Sequence, residues 1–396
     1  MKKYLIVISF LILNLSANSL ESLVTNALNK NNELKSIEKS ILIANENITL
    51  ATKLSNPILS LGINDIHTNE NYDKRDLEAM QAQFIGITQA IPITNKLEIN
   101  KSIQITNKNI LALSLEDKKL LLKAKIYELA YNIAILEEKK RLILEQKRNI
   151  GKLEKLQNYL YQTSKTDVKT LFDTKLINKN FDITLNNLQT NITTLKLNLE
   201  EIAYTKIDNL NINLDVFKAS LENNIEKHPK VQAFNEQLKA FKQQEAYEKA
   251  LKTSDINFNI TYFNRTEFQD YVNVSVAIPL SIYNRENINV KKAQYSYLKA
   301  KNDLESLRRN FTTTQQILQN ELNTSYENYQ LLSKEMLALQ NSIDKSLKID
   351  NKFKNNSTQI IQNLNKTLKL QIDALDEKSK FFTTLAKSKY YEGNIQ

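Results

Sequence analysis

The chain has 396 residues, with 54 Lys and Arg against 44 Asp and Glu and a formal charge of +10. A mean hydropathy of −0.44 is too polar for a bundle of membrane-spanning helices, and the lack of Cys excludes disulfides, thiolate metal sites and thiol nucleophiles. The positive charges are mixed with Glu and Asp along helical segments, without a basic stripe or recognition motif. Solvated helix faces therefore explain them better than nucleic-acid binding does.

The N-terminus has the pattern of a cleaved signal peptide. Lys2 and Lys3 precede an apolar run of 12 residues, and Leu15-Ser16-Ala17 follows as a small-residue exit. An uncleaved anchor is disfavoured because 12 residues do not span a bilayer. We expect residues 1–17 to be removed from an exported protein and, without a Cys, no lipid anchor.

The first half predicts a helix, two strands and a long helical hairpin. The first helix, from Leu20 to about Leu54, ends before Asn56-Pro57, because a residue that precedes Pro disfavours the helical region. Alternating apolar residues predict strands at about 57–67 and 81–92. The segment 93–204 predicts two helices of a coiled coil, the first of which would reach about 100 Å. Its apolar seams, in steps of 4, 3, 4 and 3, are Leu122, Ile126, Leu129, Ile133 and Leu136, and then Leu188, Ile192, Leu195, Leu199 and Ile202.

The second half repeats this order. Strands at about 256–264 and 271–279 flank a polar turn, Arg265 to Asp270, and a helical hairpin covers 280–391. Pro92 and Pro279 are 187 positions apart, and we expect both at strand-to-helix junctions, in the first helical turn. The pattern predicts two repeats, 18–208 and 209–396.

The strands are long enough to cross a membrane. An exported chain without a membrane helix can do so only as a closed barrel. Four strands cannot close one, eight from two chains would be filled by their own side chains, and twelve from three chains would leave a lumen. The apolar residues of 256–279 are then expected to face lipid, its Asn, Thr and Ser residues the lumen, and its turn the outside.

Short motifs recur in the same order in both halves. They are Ala27–Lys35 (ALNKNNELK) and its counterpart Ile225–Val231 (IEKHPKV), the strand ends Gln89–Pro92 (QAIP) and Val276–Leu280 (VAIPL), and the hairpin tip from Tyr161 to Val168. In this order and spacing they resemble the TolC family of outer membrane efflux channels, over nearly all of the mature chain. The resemblance implies a mostly helical fold with a β-barrel part. A homotrimer would form a 12-stranded barrel in outer membrane lipid and a coiled-coil α-helical tunnel in the periplasm.

The resemblance also implies a passive exit duct of a tripartite efflux or type I secretion system, which docks to a periplasmic adaptor (membrane fusion) protein and an inner-membrane pump. The connector near 205–217 would belong to an equatorial region. Adaptor contacts would lie at the hairpin tips, where a plain turn is the alternative interpretation. The tip residues are Thr163, Ser164, Thr166, Asn356, Ser357 and Thr358.

The periplasmic aperture departs from the family pattern. Related channels often carry acidic rings in the second-half tip, and the positions that align here are Gln362 and Asn365, both neutral amides. A slip of one residue would substitute Ile361 and Leu364. Asp167 remains as an acidic contributor. We expect weaker cation selectivity than an acidic ring would give, unless the two amides simply cap or solvate the start of a helix.

No catalytic or metal-binding pattern accompanies these features. His67 and His228 without any Cys do not make a metal site, and the acidic residues have no catalytic spacing. We therefore expect no enzyme activity and no cofactor. The alternative from another class is an exported coiled-coil periplasmic scaffold or adaptor without a pore, which would leave two matching strand pairs unexplained.

Overall fold

The computed structural model describes residues 19–66, 68, 74–163, 168–222, 224–350 and 357–393. The predicted signal peptide lies outside them. The helices are α1 Leu20–Lys30, α2 Asn32–Leu50, α3 Lys96–Gln162, α4 Val168–Ala203, α5 Pro229–Ala250, α6 Arg285–Gln330, α7 Leu337–Asp350 and α8 Ser357–Glu392. The strands are β1 Ile58–Asn64, β2 Ala82–Ile91, β3 Ile256–Asn264 and β4 Tyr271–Ala277. Across this part of the chain, no helix is both long and apolar enough to cross a membrane.

The chain divides into two compact units, each of which combines segments of both sequence halves. The first contains residues 19–35, 118–228 and 310–393, and the second contains 36–117 and 229–309. The spatial units are therefore interleaved in sequence. The repeat boundaries at 18–208 and 209–396 remain a prediction about the sequence.

The second unit contains a four-stranded antiparallel sheet in the order β1-β2-β3-β4. Each half supplies one predicted strand pair, and the pairing of β2 with β3 joins the two halves. At one level of the sheet, four apolar residues lie side by side because Leu59 pairs with Ile87, Ile87 with Ile260, and Ile260 with Val274.

The predicted helical seams form the core of the first unit. Ile126 and Ile133 of α3 are buried with Leu199 of α4 and Leu23 of α1. Farther along the same helix, Ile143 packs with Leu188 of α4 and Leu368 of α8. The steps of 4 and 3 therefore place the apolar residues on contacting helix faces, as a coiled-coil seam requires.

Two predicted helices are interrupted. The helix expected from Leu20 to Leu54 is two helices, because the Asn31 side chain accepts a hydrogen bond from the Leu34 amide at 3.0 Å and caps a new start. The long helix expected after Pro279 contains a π-helical segment, Leu331–Met336, between α6 and α7. There the Ser333 hydroxyl donates to the Tyr329 carbonyl oxygen at 2.6 Å.

Candidate channel wall and aperture

The two faces of the sheet have opposite chemistry, and on the inner strands β2 and β3 they also differ in exposure. On the apolar face, Leu61, Ile260 and Val274 keep 67, 57 and 69% of their surface accessible. On the polar face, Thr261 is 8% exposed. A water-soluble sheet has the reverse pattern, with its apolar face on the core. Such a continuous exposed apolar surface marks contact with a membrane or a partner.

The sheltered face carries polar contacts between the halves. The Asn259 amide donates to the Thr88 hydroxyl at 2.8 Å, and the Thr261 hydroxyl donates to the Asn259 side-chain oxygen at 2.9 Å. Thr88 lies on β2 and the other two residues on β3. The first bond joins the two halves across the β2–β3 pair, and the second satisfies a polar group within β3.

The predicted turn from Arg265 to Asp270 connects β3 and β4, and one cation organises it. The Arg265 guanidinium donates to the carbonyl oxygens of Gln269 and Ala79, the latter at 3.1 Å in the β1–β2 loop. The Asp270 carboxylate accepts the Arg265 amide at 2.8 Å. Hydrogen bonds from the Tyr262 hydroxyl and the Arg265 amide hold the pKa of the Asp270 carboxyl below its ordinary value.

A buried glutamine fixes the β1–β2 loop in a similar way. Gln81 is 2% exposed; its side-chain oxygen accepts the Leu77 amide at 3.0 Å, and its amide donates to the carbonyl oxygens of Asp65 and Lys74 at 3.2 and 3.0 Å. The described parts of the loops at this end of the sheet are therefore held by specific hydrogen bonds.

Pro92 and Pro279 lie between strand and helix, but neither lies in a first helical turn. The first helix begins four residues after Pro92, at Lys96, and the second begins at Arg285. The expectation that these prolines open the helices is therefore wrong. Each follows the end of its strand, where the missing N–H prevents another ladder bond. The Lys96 ammonium instead pairs with the Asp255 carboxylate, which precedes β3.

The hairpin tips are described in part. Thr163 follows α3, and its hydroxyl lies 3.2 Å from the Tyr159 carbonyl oxygen. Ser357 and Thr358 are the first two residues of α8. Three other predicted tip residues, together with the predicted aperture residue Asp167, lie outside the described residues: Ser164, Thr166 and Asn356.

The two candidate aperture amides share one exposed face of α8. Gln362 and Asn365 are both exposed, whereas Ile361 is 8% exposed and Leu364 packs against the core formed with Ile143. The alternative alignment, shifted by one residue, would place core residues at the aperture. The assignment of Gln362 and Asn365 to the aperture stays a prediction.

No protein-family profile matches the sequence, and no curated protein matches it either. Solved structures do match. The open-state MtrE outer membrane channel of Neisseria gonorrhoeae has a TM-score of 0.79 at 12% identity, covering 95% of this chain and 89% of that one. The CmeC outer membrane channel of Campylobacter jejuni has a TM-score of 0.76 at 12% identity, and the match covers 94% of this chain and 86% of that one. The outer membrane protein VceC of Vibrio cholerae has a TM-score of 0.72 at 13% identity, and the match covers 95% of this chain and 96% of that one.

The chain has the TolC-like fold of these outer membrane channels. The matches cover almost the whole chain, so the likeness includes both the sheet and the helices. At this level of identity the likeness is one of fold.

In this TolC-like chain, four consecutive residues of α3, Glu137 to Lys140, each bind a side chain on another helix. The pairs are Glu137 with Lys196, Glu138 with Lys378, Lys139 with Asp376 and Lys140 with Gln189, at N–O distances of 3.2, 2.8, 3.0 and 2.7 Å. Two partners lie on α4 and two on α8. The apolar periodicity of the sequence did not predict these four contacts, because the spacing of charged residues along one helix does not show which residues of another helix they contact.

Two buried rings mark further contacts of α8. Tyr131 of α3 lies 4.8 Å from Phe382, and burial raises the pKa of Tyr131 to about 12. His228 is fully buried, with its Nε2 2.9 Å from the Tyr390 carbonyl oxygen and its ring edge-on to Phe311. These contacts give His228 a packing role at the end of α8. His67 lies outside the described residues.

Proposed function

We propose that this protein is an outer membrane channel that serves as the passive exit duct of a tripartite efflux or type I secretion system. The observation that carries the proposal is the exposed apolar face of the sheet, exemplified by Ile260 and Val274 at 57 and 69% exposure. Lipid is the solvent for which such a face is suited, and the polar face then lines a water-filled lumen. The wall of a barrel curves around its inner side chains, which explains why the polar face is the sheltered one.

The closed wall requires more than one chain. In the single sheet, β1 and β4 are edge strands whose outer hydrogen-bonding groups need partners inside a membrane. Pairing β4 of one copy with β1 of the next satisfies both edges. Three copies supply twelve strands around a lumen, so the functional unit is a homotrimer.

The helices continue this duct in the periplasm. Residues of the hairpin tips, including Thr163, Ser357 and Thr358, contact a periplasmic adaptor protein, and an inner-membrane pump supplies the energy. The support is the TolC-like fold and the position of these residues at helix ends. Gln362 and Asn365 form a neutral aperture, since both are exposed on one face of α8.

Purification from detergent-extracted outer membranes tests the channel. We expect a heat-modifiable trimer that gives discrete conductance steps in planar lipid bilayers. A protein recovered as a monomer without detergent would instead support the coiled-coil scaffold without a pore. A trimer that inserts but carries no current would refute the duct.

Exchange of charge at the hairpin tip tests the adaptor contact. Charge reversal at Asp167 should weaken efflux in cells while trimer assembly remains. Unchanged efflux with normal assembly would contradict this part of the proposal.

A further inference from the structure

Three aromatic side chains interrupt the polar face of the sheet. Phe84, Phe263 and Tyr271 lie on β2, β3 and β4, and the strand register pairs the first with the second and the second with the third. The ring centroids of Phe84 and Phe263 are 5.6 Å apart, and those of Phe263 and Tyr271 are 4.7 Å apart with nearly parallel planes. The rings form one row at the loop end of the sheet, in the range of stacking contacts.

A glycine on β1 extends this row over the fourth strand. Gly62 pairs with Phe84, and a Cβ built at Gly62 would lie 2.5 Å from two atoms of the Phe84 ring. The ring therefore lies over the Gly62 backbone. Phe263 is 9% exposed and is covered by its neighbours, whereas Phe84 and Tyr271 are half-buried and keep part of their surface accessible.

One ring in this row already binds a cation from within the chain. The guanidinium carbon of Arg265 lies 4.9 Å from the Tyr271 ring centroid and 5.6 Å from that of Phe268. Such distances are typical of cation–π contacts. This arrangement shows the kind of group that the ring faces attract.

The surrounding loops favour positive charge. Within the described parts of the two loops, five carboxylates accompany three cationic side chains. The carboxylates are Asp65, Asp76, Glu78, Glu267 and Asp270, and the cations are Lys74, Arg75 and Arg265. A mouth with an excess of negative charge raises the local concentration of cations.

We propose that Phe84 and Tyr271 form a binding site for hydrophobic organic cations at the outer end of the lumen. The site rests on the proposed function, in which the sheltered face of the sheet lines that lumen. An organic cation with aromatic or alkyl groups places apolar surface and diffuse charge against the rings, whereas a small inorganic cation keeps its water. The three copies of a trimer would place this row around the exit, so cations of this class would contact it as they leave.

Block of single channels by tetraphenylphosphonium tests the proposal. We expect the cation to block current reversibly when added on the loop side, and tetraphenylborate, an anion of the same shape, to block far less. The double substitution Phe84→Leu with Tyr271→Leu should raise the half-blocking concentration about tenfold, as the loss of ring faces predicts. Tyr271→Phe keeps the ring and should keep the block, and Phe258→Leu, on the lipid-facing side of β3, is the matched control. Should the double variant fail to assemble, Tyr271→Leu alone provides the comparison.

The outcomes separate this site from the channel itself. Normal conductance with no block, equal block by both ions, or equal block of the double variant would overturn the site and leave the duct intact. Absence of conductance would refute the duct, and titration calorimetry of tetraphenylphosphonium against the detergent-solubilised protein then decides the site. Binding that is unchanged by Phe84→Leu with Tyr271→Leu would overturn it there as well.

Discussion

A charge placed on the apolar face of the sheet provides the most direct measurement of what this face contacts. Val274 lies in the middle of β4, is 69% exposed and stands beside Ile260 in the register. In water, Val274→Lys at such an exposed position would change stability by less than about 0.5 kcal/mol. In a bilayer, a Lys near the midplane costs about 2–4 kcal/mol per chain. Three copies raise this to roughly 6–12 kcal/mol per trimer if the sites are independent.

The next residue along the strand is the matched control. Ser275 pairs with Asn259 and belongs to the opposite face, so Ser275→Lys adds the same charge on the lumen side. Denaturant titration of the trimer in lipid vesicles should show a large loss for Val274→Lys and a change under about 1 kcal/mol for Ser275→Lys. Single-channel recording of the Ser275→Lys protein should show altered ion preference, since lumen charges set it.

Equal effects of the two substitutions would refute this assignment of faces. A loss confined to Ser275→Lys would reverse it, because the apolar face would then lie against water and the polar face against lipid or protein. A vesicle-bound protein that tolerates both would indicate that the sheet lies outside the hydrocarbon region.

The remaining predictions concern the helices. The wild-type protein should lose stability between about pH 10 and pH 12, because Tyr131 has a pKa of about 12 in the folded protein and near 10 in the unfolded chain. Tyr131→Phe should make this loss of stability smaller, and denaturation midpoints measured against pH test the prediction. Lys378→Ala should lower the free energy of unfolding by about 2 kcal/mol, since Glu138 is left half-buried without its partner, and Lys378→Met with Glu138→Leu should recover most of the loss in the same titration. Gln362→Asp with Asn365→Asp should shift the reversal potential in a salt gradient towards cation selectivity, and an unchanged potential would place both residues away from the aperture.

The strands were predictable from the sequence because apolar and polar residues alternate along them, most clearly in 256–264 and 271–279. Alternation between Ile256 and Tyr262 predicted β3 at its observed bounds, and β4 ended two residues earlier than expected, at Ala277. Where two large apolar residues are adjacent in a strand, the alternation does not show which of them lies on the apolar face of the sheet. Tyr262 and Phe263 form such a pair, and the hydrogen-bonding register was needed to place Phe263 on the polar side.

The helical part was predictable to a different degree. The seam of Ile361, Leu364 and Leu368 sets which side of α8 is buried, and therefore leaves Gln362 exposed. The π-helical segment Leu331–Met336 contains no Gly or Pro, so the sequence has no signal that predicts it. A π-helical segment depends on how neighbouring helices accommodate an extra residue. The apolar pattern within one helix does not predict this.

The placement of glycine supports the assignment of the inner face independently of polarity. Gly62 and Gly86 both lie on the sheltered face, and an added Cβ at either would lie under 3.0 Å from a side chain of the next strand, Phe84 or Thr261. The apolar face of the same strands has no glycine. Side chains crowd on the concave side of a curved sheet and separate on the convex side, so small residues are needed on one face alone. The crowded and the polar residues therefore share one face of the sheet, which is the inner face of the wall in the proposed channel, and the exposed Val, Ile and Leu residues share the other.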